Sequence, residues 1–157
     1  MSGVDFHLNL SSDSVEQSHL ISPLCLSPDA SVREAMHRMA EGNRAAVLIC
    51  RDEQLVGIFT ERDALKMMAS GSDFDAKLGD VMTRDPVVLS RHDSVGTAIT
   101  RMSQGGYRRL PIVDDTGRPV GLLKLEGILH YLVEHFPAVI HTLPPEPHHS
   151  TKAREGA

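Results

Sequence analysis

An α/β (α+β) fold built from two tandem β-α-β-β-α units is predicted by two features, an internal repeat and an alternation of short apolar runs with amphipathic stretches. Shifting the chain by 63 residues aligns identical residues at core and helix-cap positions, and one inserted residue later Val56 and Gly57 fall on Val120 and Gly121. The other aligned pairs are Ser27 with Ser90, Ser31 with Ser94, Val32 with Val95, Ala35 with Ala98, Arg38 with Arg101, Met39 with Met102 and Gly42 with Gly105. The sequence therefore predicts an internal duplication.

Unit 1 is predicted over residues 19–78, after a polar, serine-rich segment at residues 1–18 that we expect to form a flexible N-terminal arm. Residues 20–28 are apolar and punctuated by proline, which is typical of a short edge strand. Ser31 and Glu34 have the spacing of a capping box, so a helix is expected to begin there. Its apolar residues recur at helical spacing and are Val32, Ala35, Met36, Met39 and Ala40.

The second half of unit 1 contains two short apolar strands and a helix. The strands are predicted over residues 45–50 and 54–59, joined by a polar turn, and the helix over residues 61–70. Cys25 and Cys50 have no base nearby in the sequence, and we interpret them as buried thiols.

Unit 2 is predicted over residues 79–137 with the same order of elements. A strand is expected over residues 85–90, a helix after Ser94, strands over 110–113 and 119–123 around a hairpin turn, and a closing helix over 125–136. A tail with several prolines and histidines follows at residues 138–157. Its last ten residues are interpreted as disordered. Val139, Ile140 and Leu143 are interpreted as an anchor on a second chain.

Composition excludes several classes of protein. The net charge is −5 and the isoelectric point is near 6.0, which argues against general affinity for nucleic acid. No signal peptide and no apolar run of membrane-spanning length is present, so we expect no membrane association and a cytoplasmic protein. Two cysteines suit a reducing compartment. The nine histidines form no metal-ligand motif, so no metal site is expected.

Thr60 and Asp63 stand at the point where an apolar strand turns into a helix. Their spacing is that of an N-cap residue with a reciprocal acid, so a purely structural cap is one interpretation. A helix N-terminus also suits a phosphate, and a carboxylate beside it could accept both hydroxyls of a ribose. Position in the sequence alone does not choose between the cap and a nucleotide clamp.

Three motifs occur in order along the repeat. They are VMTRDPV at residues 81–87, YRRLPIVD at residues 107–114 and GIFTERD at residues 57–63. The first is similar to the entry sequence of a CBS (cystathionine-beta-synthase) domain, and the second resembles the basic segment that enters its second strand. The third matches the family's Gly-hydrophobic-x-Thr/Ser-x-x-Asp ligand motif. Over roughly residues 20–136, the chain resembles a tandem pair of CBS domains, often called a Bateman module.

The resemblance implies a fold and a function. Two units would pack sheet against sheet about a pseudo-twofold axis and leave two clefts between them. Such clefts bind adenosine ligands, which are AMP, ADP, ATP or S-adenosylmethionine. Pairs of modules commonly form a disc-shaped dimer, and the family's role is sensing rather than catalysis.

The resemblance also assigns roles to individual residues. Asp63 would hold the ribose hydroxyls, Thr60 a phosphate oxygen, and Ile58 would contact the base. Arg44 and Arg62 lie where the family makes polar phosphate contacts. The other unit would supply Thr83, Pro86 and Tyr107 around the base, with Arg108 and Arg109 near the phosphates. Guanidinium groups suit phosphate oxygens, in agreement with this assignment.

Unit 2 departs from the ligand motif. Lys124 stands where Thr is expected, and Gly127 stands where Asp is expected. Without a carboxylate at that position, a ribose loses its main anchor. We therefore predict one competent adenosine site per chain, with the other site empty, weakened or altered.

The favoured hypothesis is a stand-alone regulatory module that forms a homodimer, binds an adenine nucleotide between its units and signals to an unidentified partner protein. The alternative is a dimerisation or interaction module with a vestigial nucleotide site, which the altered motif of unit 2 supports. A catalytic function has little support, because the sequence shows no nucleophile–base pair, metal-ligand cluster or glycine-rich phosphate loop.

Overall fold

The computed structural model describes Leu10 and residues 13–135. The helices are α1 (Val32–Glu41), α2 (Glu61–Ser70), α3 (Leu78–Val81), α4 (Val95–Gly105) and α5 (Leu125–His135), with a short 3-10 turn at Val15–Gln17. The strands are β1 (Cys25–Leu26), β2 (Ala46–Arg51), β3 (Gln54–Thr60), β4 (Thr83–Arg84), β5 (Leu89–Ser90), β6 (Arg109–Val113) and β7 (Pro119–Lys124). None of the helices in these described residues is long and apolar enough to cross a membrane.

The two sheets repeat one design, as the internal repeat predicts. The first has the order β1-β2-β3-β4 and the second β5-β6-β7. In each, the first strand runs parallel to the second and the second antiparallel to the third. Even the register irregularity recurs, between Ile49 and Cys50 in β2 and between Ile112 and Val113 in β6. The prediction of an α+β fold from two tandem units is confirmed.

The entry segment of each unit pairs with the sheet of the other. β4 leads into unit 2 but pairs with β3 of unit 1, where Ile58 lies opposite Thr83. In the same way Ile21 leads into unit 1 but exchanges backbone hydrogen bonds with Leu122 of β7, at 3.0 and 3.1 Å. This exchange joins the two units through backbone hydrogen bonds.

Three of the apolar clusters in the described residues involve the sheets and hold the units together. Each unit has a core between its sheet and its helices, centred on Val47, Ile49 and Phe59 in unit 1 and on Leu110, Ile112 and Leu123 in unit 2. A third cluster lies between the sheets and consists of Ala46, Leu48, Ile58 and Leu122, with Ile21 and Leu55 against it. Alternate residues of β2 therefore face two cores, which explains its continuous apolar sequence.

The strand predicted over residues 85–90 is shorter than expected. Asp85 has a positive φ of 47°, and Pro86 has no N–H to donate to a ladder. The chain therefore bends there and separates β4 from β5. The bend opens one side of the boundary between the units.

The predicted capping boxes form to different extents. Ser31 accepts a hydrogen bond from the Glu34 N–H at 3.0 Å, but the return bond from the Glu34 side chain is not made. At the start of α2, both halves of the box are present between Thr60 and Asp63.

The N-terminal arm predicted over residues 1–18 is packed where the structure describes it. Val15 is fully buried in the core of unit 2, and its N–H donates to Asp93 O at 2.9 Å. Val95 N–H donates in turn to Asp13 O at 2.8 Å. The serine-rich composition did not predict this packing, because the packing rests on two buried apolar side chains, Leu10 and Val15. The tail and its proposed anchor lie outside the described residues.

The interpretation of both cysteines as buried thiols is wrong for Cys25, which is exposed at the sheet edge, while Cys50 is half-buried. Burial raises the pKa of the Cys50 thiol to about 12, with a further contribution from the neighbouring Cys25. Partial desolvation also raises the pKa of the Cys25 thiol, although the residue as a whole is exposed. Both groups are therefore neutral thiols near pH 7.

Candidate functional site

A cavity of about 710 Å³ opens between the two units, within the size range of small-molecule sites. One wall is the junction of β3 with α2, and the facing wall combines the bend after β4 with the connection from α4 to β6. Its lining residues are Ile58, Thr60, Glu61, Arg62, Asp63, Thr83, Asp85, Pro86, Val87, Gly106, Tyr107, Arg108, Arg109, Leu110 and Pro111. All the sequence-predicted site residues except Arg44 meet here.

The capping box of α2 forms one wall of the cavity. Asp63 Oδ2 accepts hydrogen bonds from Thr60 N–H at 2.9 Å and from the Thr60 hydroxyl at 3.1 Å, while Thr60 Oγ1 accepts from Asp63 N–H at 3.4 Å. Within the described part of the chain, the second oxygen of Asp63, Oδ1, accepts no hydrogen bond. The cap thus fixes the carboxylate by one oxygen and leaves the other available to a ligand.

The Thr60 hydroxyl hydrogen is committed to Asp63 in this arrangement. Thr60 could donate to a phosphate oxygen only after that hydrogen turned away from the carboxylate. The structural and the ligand-binding interpretations of the motif are therefore compatible for Asp63, but they compete for Thr60.

Tyr107 lies on the facing wall, and Gly105, two residues before it, leaves room for its ring. A Cβ on Gly105 would lie 2.1 Å from the Tyr107 ring, so the ring occupies the space that a side chain there would take. Gly106 has a φ of 69° and ends α4, and Tyr107 N–H donates to Met102 O at 3.1 Å. The ring remains 40% exposed, beside the cavity.

Charged groups of both signs line the cavity. Arg109 Nη2 lies 3.7 Å from Glu61 Oε1 across the two units. Neither Arg62 nor Arg108 has a carboxylate within ion-pairing distance among the described residues. Glu61 and Asp85 also line the cavity. They were not predicted as site residues, although both stand inside the motifs noted in the sequence.

Arg44 lies outside this cavity. Its guanidinium donates to the carbonyl oxygen of Ser22, and it borders a separate groove with Arg38. Arg44 stands 63 residues before Tyr107, so by the repeat it occupies the Tyr107 position of the second cleft. Arg44 is therefore the one predicted site residue that this cavity does not bring together with the others.

The second cleft differs from the first in its backbone as well as in its motif. A Cβ on Gly127 would lie 2.8 Å from the carbonyl oxygen of His19, so the entry segment of unit 1 passes directly over this position. Lys124 Nζ lies 3.7 Å from Glu126 Oε2. A side chain at this position, which corresponds to Asp63 in the first cleft, would force the His19 backbone to shift.

Comparison with known proteins identifies the family. Residues 18–70 and 78–134 each match the CBS domain. An uncharacterised protein of Methanocaldococcus jannaschii is 32% identical over 127 residues, 80% of this chain and 30% of that protein. An uncharacterised protein of Methanopyrus kandleri is 33% identical over 113 residues, 68% of this chain and 58% of that protein. The chain thus spans less than two thirds of the length of these relatives.

This chain aligns with nearly the whole length of several solved structures that share its fold. A CBS domain pair in complex with 5′-methylthioadenosine and S-adenosyl-L-methionine has a TM-score of 0.66 at 26% identity, covering 72% of this chain and 94% of that chain. A CBS domain protein from Pyrobaculum aerophilum complexed with AMP has a TM-score of 0.66 at 23% identity, covering 73% and 93%. The chain therefore belongs to the CBS domain family, as a tandem pair of these domains.

Proposed function

We propose that this CBS pair is a regulatory module that binds an adenosine ligand in the cavity between its units and signals to a partner protein. The observation that carries the proposal is the cavity where an available Asp63 oxygen, Tyr107 and two arginines converge, neither arginine having a carboxylate partner among the described residues. Related CBS proteins crystallised with AMP or with S-adenosyl-L-methionine support the same class of ligand.

The chemistry of the lining residues suits such a ligand. Asp63 Oδ1 would accept hydrogen bonds from the ribose hydroxyls, while Arg62 and Arg108 would donate to phosphate oxygens. Ile58 and Pro86 offer apolar surface to the base, and Tyr107 offers a ring face. AMP, ADP, ATP and S-adenosylmethionine all carry the adenosine group that these contacts would recognise.

We propose one such site per chain. The close approach of His19 O to Gly127 supports this, since a ribose-binding carboxylate has no room in the second cleft. Lys124 is directed to Glu126 instead.

We further propose that the protein is a cytoplasmic homodimer with a regulatory and not a catalytic role. Exposed apolar side chains stand on one helix of each unit, and they are Leu65 and Met68 on α2 with Leu129 and Val133 on α5. α2 and α5 are related by the repeat, so together they offer a self-complementary apolar surface to a second copy.

Calorimetric titration with AMP, ADP, ATP and S-adenosylmethionine tests the ligand site. Asp63→Asn keeps a side-chain oxygen for the cap but removes the charge that would hold the ribose. We expect saturable binding near one ligand per chain, weakened about ten- to a hundredfold in the variant, because a hydrogen bond to a charged group contributes roughly 1.5–3 kcal/mol. Asp115→Asn, an exposed acid in the hairpin turn of unit 2, is the control and should bind as the wild type does.

The second candidate is an interaction module with a vestigial nucleotide site. The second cleft favours this candidate, because it lacks the ligand motif and yet belongs to the same folded chain. Absence of heat with all four ligands, together with no thermal shift, would overturn the ligand-binding proposal in favour of this one.

A further inference from the structure

We propose that Glu61 sets the charge balance of the cavity so that it selects a nucleoside monophosphate over a di- or triphosphate. This inference rests on the proposed function, because it concerns the same site. Three arginines and three carboxylates line the cavity, and they are Arg62, Arg108 and Arg109 with Glu61, Asp63 and Asp85.

Each carboxylate limits the negative charge that the cavity can accept. Asp63 holds its charge at the cap of α2, where the ribose would lie. Glu61 is paired with Arg109, so this arginine contributes little uncompensated positive charge. Asp85 is exposed at the bend after β4 and lines the same space. Arg62 and Arg108 remain as the cations without a paired carboxylate among the described residues.

Arg109 is placed to donate to a ligand without giving up Glu61. Its Nε is buried and has no hydrogen-bond partner in the described structure, whereas Nη2 is the atom nearest Glu61. Because Nε is closed to solvent, a ligand in the cavity would meet the accessible part of the guanidinium instead, in a side chain that is 22% exposed. Arg109 and Glu61 can therefore act together as a neutral donor to the phosphate.

The two arginines without a carboxylate partner in the described residues then match one phosphate group. A phosphomonoester carries a charge of about −2 near pH 7, equal to the two unpaired arginines. Every further phosphate adds negative charge near Glu61 and Asp85, where like charges repel it. S-adenosylmethionine has no phosphate, and its one carboxylate would compensate only one of the two arginines.

The test compares AMP, ADP and ATP by titration of the full chain at low ionic strength without magnesium, where charge effects are least screened. For the wild type we expect affinity to fall from AMP to ADP to ATP. Glu61→Gln removes the charge but keeps a similar shape. The ratio of ATP affinity to AMP affinity should rise about two- to fivefold in this variant, the size expected for one partly exposed ion pair.

Glu126→Gln is the matched control, because Glu126 stands in the first turn of α5 and faces a cation, Lys124, at the same 3.7 Å. Its ATP to AMP ratio should equal that of the wild type. Glu61→Ala, checked for folding by thermal unfolding, should shift the ratio in the same direction as Glu61→Gln.

The outcomes separate this inference from the proposed function. Wild-type affinity for ATP equal to or above that for AMP, or an unchanged ratio in both Glu61 variants, would overturn the selection by Glu61 and leave adenosine binding intact. Failure of every adenosine compound to bind the wild type would overturn the proposed function itself.

Discussion

At the scale of single residues, the two clefts differ by more than the two motif positions that the sequence reveals. Gly127 stands where the first cleft has Asp63, the proposed ribose ligand, and the carbonyl oxygen of His19 also lies 2.8 Å from where a Cβ on Gly127 would be. Restoring the motif therefore does not restore the space. We therefore expect the backbone of a distant segment, and not the motif alone, to keep a carboxylate out of the second cleft.

The double variant Lys124→Thr and Gly127→Asp tests this closure. We expect it to lose about 1–3 kcal/mol of unfolding free energy, because a side chain must be forced against the His19 backbone. Ligand stoichiometry should stay at one per chain. Denaturant unfolding and calorimetry measure the two quantities. A stoichiometry of two would show that the missing motif was the sole defect of the second cleft.

At the scale of elements, the cap of α2 lines the cavity and is proposed to bind the ligand as well as to begin the helix, whereas the cap of α1 does not line the cavity. Thr60→Ala should cost about 1 kcal/mol of stability, the usual value for loss of an N-cap. It should also weaken ligand binding, because Asp63 Oδ2 loses the Thr60 hydroxyl that holds it in place. Thr60→Ser should retain both properties.

Ser31→Ala is the matched control for Thr60→Ala. Ser31 caps α1 through one hydrogen bond to Glu34 N–H at 3.0 Å and does not line the cavity. It should lower stability by a similar amount and leave ligand affinity unchanged. Equal losses of affinity in the two variants would mean that the effect of Thr60 comes from general destabilisation.

Local signals account for the elements that the sequence predicted well. Caps, glycine stops and helical periodicity depend on neighbours in the chain, so the helices and the main strands were predictable. The bend at Asp85 was missed because its positive φ results from the position of β4 on the other unit's sheet. The docking of Val15 was missed because a polar composition says nothing of a distant apolar partner.

At the scale of the whole molecule, the site depends on contacts between residues far apart in the sequence. The Glu61–Arg109 pair joins the two units, and the passage of His19 over Gly127 does so again. The sequence identified candidate lining residues through the family motif, yet it could not pair their charges. It also grouped Arg44 with residues that the cavity does not bring near it, because a repeat alone does not state which copy faces which.

Leu65 and Leu129 provide the last test, that of the proposed homodimer. These side chains are 62% and 54% exposed on repeat-related helices. If they cover each other between two copies, Leu65→Glu with Leu129→Glu should convert the dimer to a monomer, since buried charges without partners oppose association. Sedimentation velocity measures the change. Lys66→Glu, next to Leu65 and also exposed, should remain a dimer. A dimer that survives both leucine changes would place the contact elsewhere on the molecule.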